Sequence, residues 1–237
     1  MGLEGRVVLV TGATGAVGQV AVRAFAKTGA RLVLTGRQQE ALTELAANLG
    51  LSDEGVLLCP ADLSAGEDVA ALARAVGDRW GGADVLLNIA GGWRGGARVA
   101  ELTEEEWDAA MDMNLRSAFL ICRAVLPHMV SRGWGRIVNV ASRAAVEPAA
   151  RQAAYNASKG GLVALTASIS AEYRRQGVAA NAILPSIIDT PQNRAQNPDA
   201  DYSRWVKPES IAAMMLYLCT DEGGALNGAA IPMYGRL

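Results

Sequence analysis

Residues 6–18 read RVVLVTGATGAVG, and this stretch decides the fold. Its first half, Arg6 to Thr11, is β-branched and almost wholly apolar. Its second half carries Gly12, Gly15 and Gly18 and leads into a helical pattern. In residues 15–28 of that pattern Val17, Val20, Ala21, Ala24 and Phe25 fall on one face. A glycine loop between a buried strand and a helix holds phosphate. The glycines let the backbone approach the ligand, and the helix start offers free N–H groups. No Lys-Ser or Lys-Thr follows the glycines, so the loop is not a P-loop.

Working outward, similar apolar runs recur at 31–35, 55–59, 84–89, 136–141 and 178–184. With so little polar alternation they suit strands buried on both faces of a parallel sheet. Amphipathic stretches lie between and after them, at 38–49, 67–79, 103–130, 152–176 and 208–219. Thr103 followed by Glu106 marks a capping-box start. The alternation predicts an α/β chain. It is a doubly wound Rossmann fold with a mostly parallel sheet of about seven strands and helices on both faces. The 237 residues read as a single dinucleotide-binding catalytic domain, 1–237. Residues 186–205 lack periodicity and are rich in Asn, Asp and Gln, and they read as a lid.

Composition excludes several classes. The net charge is −2 with acids and bases interspersed, so no nucleic-acid footprint is expected. A single histidine, His128, rules out a His-rich zinc site and reads as a surface residue near a helix end, not a base. No metal site is expected. Cys59, Cys122 and Cys219 are far apart and read as buried small hydrophobes in a reducing compartment. The start, MGLEGRVVLV, has no basic region and cleavage site, and no uncharged apolar run reaches about 18 residues. No membrane span and a cytoplasmic location are expected.

The end of the second strand narrows the ligand. A nicotinamide enzyme that uses NAD places an acid there, on the ribose hydroxyls. Here Gly36 and Arg37 follow the strand, with no acid before Glu40. Arg37 suits a 2′-phosphate, so NADP(H) is preferred and NAD(H) remains possible.

Tyr155 and Lys159 stand four apart on one helix, and so share a face. Ser142 stands 13 residues before Tyr155, at the end of a strand, and Asn114 lies in a helix. Reducing a carbonyl by hydride needs a proton for the developing alkoxide, and a tyrosine of pKa about 10 can give it. The reverse reaction needs tyrosinate, which a nearby ammonium favours. Ser142 would hold the substrate oxygen against Tyr155, and Asn114 would support a proton relay to Lys159.

With these residues in place, the chain resembles the short-chain dehydrogenase/reductase family, single-domain branch, over essentially its whole length. The resemblance rests on TGATGAVG, NIAG at 88–91, Asn114, Ser142, Tyr155-Asn156-Ala157-Ser158-Lys159, and the turn LPSIIDTP after the sixth strand. It implies Tyr155 as acid/base, Ser142 as substrate orienter and Asn114 in the relay. Lys159 would lower the tyrosine pKa and bind the nicotinamide ribose. For the cofactor it implies the loop residues Gly12, Thr14, Gly15, Ala16, Val17 and Gly18. Asp62 and Leu63 would lie at the adenine, and Asn88, Ala90 and Gly91 beside the adenosine ribose. Pro185, Ile187, Ile188 and Thr190 would lie at the nicotinamide. It also implies a homotetramer, or a homodimer, with helices 103–130 and 152–176 across a two-fold.

The chain departs from the family pattern at four places. Ala16 replaces the second loop glycine, Ile89 the second Asn of N-N-A-G, and Ser186 the glycine after Pro185. The tail ends Met233-Tyr234-Gly235. The loop spacing T-G-x-x-G-x-x-G is that of the extended branch, which includes sugar-nucleotide epimerases, but the chain leaves no room for their second domain. Gly15 is expected to take over for Ala16, with a slight displacement of the pyrophosphate contact.

The substrate pocket is expected from Trp93, Arg143 and Gln152, with Arg94, Glu147 and the lid. Trp80, Trp107, Trp134 and Trp205 read as packing or helix-end residues. The function read is NADP(H)-dependent interconversion of a small-molecule carbonyl and a secondary alcohol. Alternatives are a 3-oxoacyl-carrier-protein reductase, docking through Arg94, Arg98, Arg143 and Arg151, and a non-catalytic dinucleotide-sensing protein.

Overall fold

The computed structural model describes residues 2–237. Seven strands form one parallel sheet, in the order β3-β2-β1-β4-β5-β6-β7. They are β1 Val7–Thr11, β2 Arg31–Gly36, β3 Val56–Pro60, β4 Val85–Asn88, β5 Gly135–Val140, β6 Val178–Pro185 and β7 Ala230–Met233. The helices are α1 Ala16–Phe25, α2 Gln39–Asn48, α3 Gly66–Trp80, α4 Glu104–Met111, α5 Ser117–Arg132, α6 Ala153–Tyr173, α7 Pro191–Gln196 and α8 Pro208–Leu218.

Side chains alternate across a strand, and here both faces are covered. Val8 and Val10 of β1 join Phe25 of α1, Leu42 of α2 and Met215 of α8 in one core. Val7 and Leu9 point the other way, onto Val69 of α3, Ile121 of α5 and Ile169 of α6. That is why the strands read as unbroken apolar runs. The chain lays β1, β2 and β3 in one direction, then returns to place β4 on the other side of β1. The reversal parts the loops at the carboxyl ends of β1 and β4 and opens the crevice in which ligands bind on such sheets.

Four features differ from the sequence reading. The helix expected over 103–130 is α4 and α5 joined by a π-turn, Asp112–Arg116, which holds Asn114. Strand β7 was not among the apolar runs. It is only four residues long, contains Pro232 and lies half exposed at the sheet edge. The segment 186–205 contains α7 and a 3₁₀ turn, Tyr202–Arg204, and its ends are tied together. Val206 N–H donates to Ile187 O at 3.0 Å and Asp189 N–H to Val206 O at 2.8 Å. His128 is not a free surface residue. It is half-buried in α5, with Nε2 3.6 Å from the buried Asp84. That pair sits next to the amino end of β1, where Asp84 Oδ2 also accepts Val7 N–H at 2.9 Å, at the opposite edge from the crevice.

Among the described residues no helix is long and apolar enough to cross a membrane. Cys59, Cys122 and Cys219 are free and buried.

Candidate active site

The glycine loop turns the chain from β1 straight into α1. Gly15 is the N-cap residue and makes no side-chain cap, so the first N–H groups of α1 are left to an outside acceptor. Ala16 is the first residue of the helix. At Gly18 a methyl group would run into the carbonyl oxygens of Gly12 and Ala13, so only glycine lets the helix seat on its own loop.

Behind the loop a buried polar ladder fixes the register of the central strands. Thr11 Oγ1 donates to Asn88 Oδ1 at 3.0 Å, and Asn88 Nδ2 donates to Asn139 Oδ1 at 2.9 Å. Asn139 Nδ2 donates to Thr166 Oγ1 at 2.9 Å, joining β1, β4, β5 and α6. Thr11 Oγ1 also accepts Ile89 N–H at 2.9 Å and Ala90 N–H at 3.0 Å, which turns the chain after β4 across the crevice. Each buried polar group here has a partner, as burial requires. Thr11, Asn139 and Thr166 were not singled out in the sequence. Their only signal is a polar residue inside an apolar run.

The candidate catalytic residues meet at one wall. Tyr155 and Lys159 are a turn apart in α6. Ser142 follows β5 in extended backbone and its Oγ accepts Ala144 N–H at 3.1 Å. Burial raises the Tyr155 pKa above the usual phenol value, and a hydrogen bond with Ser142 opposes the rise. Lys159 is 4% exposed, its Nζ donates to Val140 O at 2.9 Å, and burial lowers its pKa to about 8. The Lys159 ammonium is turned to a backbone carbonyl, and desolvation is the largest influence on Tyr155.

Asn114 and Asn88 lie behind the wall, 1% and 2% exposed. Asn114 Oδ1 accepts Gly92 N–H at 3.0 Å, and its Nδ2 donates to Gly92 O and to Ala110 O, both at 3.1 Å. It therefore clamps the loop after β4. Gly91, at φ +152°, lies so close that a Cβ would stand 2.7 Å from Asn114 Oδ1 and 3.2 Å from Lys159 Nζ.

One open cleft of about 2570 Å³ runs along this edge of the sheet. It is lined by Gly12, Thr14, Gly15, Ala16, Val17 and Gly18, by Arg37, Asp62 and Leu63, and by Ala90 and Gly91. Farther along come Ser142, Tyr155, Lys159, Pro185, Ile187, Ile188 and Thr190, then Trp93, Arg143 and Gln152. Met113, Arg204 and Leu237 also line it. Met113 and Leu237 carry no sequence signal.

At one end Asp62 is held by Ser64, whose hydroxyl donates to Oδ1 at 2.7 Å and whose N–H donates at 2.9 Å. These bonds, with a smaller contribution from Arg37, keep its carboxyl below the usual range. Arg37 has no carboxylate within 4.0 Å among the described residues. At the other end Trp93 is 56% exposed. Arg143 is paired with Glu147 at 2.6 Å and stacks over Tyr234, 5.1 Å from the ring centre.

Comparison with known proteins bears directly on this site. A family model described as short chain dehydrogenase matches residues 6–201. The chain belongs to the short-chain dehydrogenase/reductase family. This short-chain dehydrogenase/reductase is 32% identical over 249 residues to a D-beta-hydroxybutyrate dehydrogenase of Rhizobium meliloti, covering 96% of each chain. It superposes with TM-score 0.89 on an actinorhodin polyketide ketoreductase variant with NADPH, at 32% identity, covering 98% of this chain and 96% of that one. With TM-score 0.90 and 28% identity it matches L-sorbose reductase from Gluconobacter frateurii complexed with NADPH and L-sorbose, covering 99% and 97%.

It is thus an NAD(P)-dependent oxidoreductase by family, and the residues present fit a dinucleotide. The uncapped start of α1 suits a pyrophosphate, and the cleft exceeds the roughly 300–1,000 Å³ of a pocket for one small ligand.

Proposed function

We propose that the protein interconverts a small-molecule ketone and the corresponding secondary alcohol, with NADP(H) as partner and Tyr155 as acid/base. The observation that carries this reading is the convergence of Tyr155, Ser142 and buried Lys159 on one wall of the dinucleotide cleft. When bound, the dinucleotide supplies or accepts the hydride.

The chain's own residues do the rest. The residues of 12–18 hold the pyrophosphate, and Asp62 and Leu63 flank the adenine. Pro185, Ile187, Ile188 and Thr190 hold the nicotinamide end. Arg37 takes the 2′-phosphate, which is supported by its having no carboxylate within 4.0 Å among the described residues. The two NADPH-bound relatives support the same preference.

Ser142 donates to the substrate oxygen and fixes it beside Tyr155. Tyr155 gives its proton to that oxygen as negative charge develops, and recovers it in the reverse direction. Lys159, a turn from Tyr155 on the same helix and held by Val140 O, lines the cleft where it can bind the nicotinamide ribose, and Asn114 is a positioning residue that holds the loop of Gly91 and Gly92. A 3-oxoacyl thioester is the second reading for the substrate, favoured by the likeness to a polyketide ketoreductase. Assembly as a homotetramer or homodimer accords with the exposed Trp107 and Phe119 on α4 and α5.

Tyr155→Phe tests the reading. General acid catalysis is worth about 10²–10⁴-fold, so kcat should fall by that factor with the fold intact. The raised tyrosine pKa sets the pH dependence. The phenol keeps its proton through neutral pH, so ketone reduction should be flat there, while alcohol oxidation should climb as pH rises. Equal turnover by wild type and Tyr155→Phe on the best ketone would remove Tyr155 from its role.

A further inference from the structure

A smaller pocket, of about 300 Å³, opens beside the main cleft. It lies between the loop after β4, the α4 region and the start of α6. Trp93, Arg94 and Gln152 line both cavities, so the two communicate across Gln152, three residues before Tyr155. At roughly 300 Å³ it is at the small end for a ligand site and suits the tail of a substrate.

The junction of its walls is strained. Arg151 has φ +60° and is the only non-glycine residue at positive φ among the described residues. Such a conformation is disfavoured for any residue with a side chain and persists only where the surroundings impose it. Here Gly96 N–H donates to Arg151 O at 2.7 Å, and Arg151 Nη1 donates back to Gly96 O at 3.2 Å. These two bonds fasten the loop after β4 to the start of the catalytic helix.

The charges in this pocket are unbalanced. Neither Arg94 nor Arg151 has a carboxylate within 4.0 Å among the described residues. Elsewhere in the cleft Arg143 is matched with Glu147, and Asp189 with Arg194. The one acid in the pocket, Glu106, is engaged in its capping box, accepting Thr103 N–H at 3.1 Å. Apart from Gln152 and these charged groups the wall is apolar, with Trp93 the largest exposed face.

We propose that this pocket binds the far end of the substrate and that this end is an anion, a carboxylate or a phosphate. The inference rests on the reading that the substrate carbonyl sits at Tyr155 and Ser142. The body of the substrate passes over Gln152 against Trp93, and the guanidinium groups of Arg94 and Arg151 take the anion. Arginine suits that task because its planar donors match a carboxylate or phosphate.

The test compares three matched series of ketones with NADPH: oxo-acids, their methyl esters, and keto-alcohol phosphates. Each is run on wild type, Arg94→Gln and Arg151→Gly. Glycine is chosen at 151 because it keeps φ +60° without strain. For wild type, kcat/KM should favour an anionic compound over its ester by at least about tenfold. In each variant that ratio should fall about tenfold, chiefly through KM. The anion with the lower KM identifies the terminus as carboxylate or phosphate. A wild-type ratio near one, or a ratio that neither variant moves, overturns the proposal. If no ketone is turned over, the catalytic reading fails, and the pocket is judged by calorimetric titration of glutarate and of glycerol 3-phosphate. Binding that both variants weaken upholds the anion site; no binding of either probe overturns it.

Discussion

At the residue scale, Lys159 shows what the site demands of the fold. Its ammonium is almost wholly buried and has one backbone carbonyl as partner, and burial brings its pKa from 10.5 to about 8. An unfolded chain holds that proton at the ordinary value. Between about pH 8 and 10.5 the unfolded state therefore binds more protons, and stability rises with pH across that window. Below pH 8 the cost is present in full. Lys159→Met removes the charge at similar volume but leaves Val140 O unpaired. The net gain should be roughly 2 kcal/mol at pH 7, with activity lost. Urea denaturation at pH 7 and pH 10 checks this. The gap between variant and wild type should narrow at the higher pH. A variant less stable than wild type at pH 7 would contradict the assignment of a buried, charged lysine.

At the element scale, the strands and α6 are tied together by the ladder of Thr11, Asn88, Asn139 and Thr166. Asn88→Ala takes from Asn139 Oδ1 its amide donor and from the Thr11 hydroxyl its acceptor in the ladder, and Asn139→Ala takes from Asn88 Nδ2 its acceptor and from Thr166 Oγ1 its amide donor. Each should cost about 1–3 kcal/mol, since a buried group without a partner bears its full desolvation penalty. The double variant should cost less than the two together, because the second change removes a group that the first had stranded. Simple additivity in a urea double-mutant cycle would show that the ladder is not coupled. How legible an element was depended on what the sequence encodes locally. Strands β1 to β6 declare themselves as runs of mostly apolar side chains, buried on both faces except at the edge strand β3. Strand β7 does not, since Ala230-Ile231-Pro232-Met233 is short and half exposed. The π-turn around Asn114 is equally silent, because Asp112-Met113-Asn114-Leu115-Arg116 reads as ordinary helix.

At the scale of the whole molecule, the site is a property of the sheet order. The reversal between β1 and β4 brings the glycine loop, Arg37, Ser142, Tyr155 and Lys159 to one cleft. The glycine loop, Arg37 and Ser142 were legible because they stand next to the carboxyl end of a strand, and Tyr155 and Lys159 because a spacing of four puts them on one face of α6. The clamp between Gly96 and Arg151 was not, because nothing in the residue types marks a left-handed arginine. A cleft this long makes ligand binding a global stability term. A dinucleotide at about 100 times its dissociation constant adds about 2.7 kcal/mol. In a chain of this size that raises Tm by roughly 5–10 °C. At equal concentration NADPH should raise Tm more than NADH, because only NADPH offers Arg37 a 2′-phosphate. Arg37→Asp should reverse the order, since a carboxylate there repels that phosphate and accepts from a free ribose hydroxyl. Equal shifts for the two dinucleotides, or an order that Arg37→Asp leaves untouched, would remove Arg37 from cofactor choice.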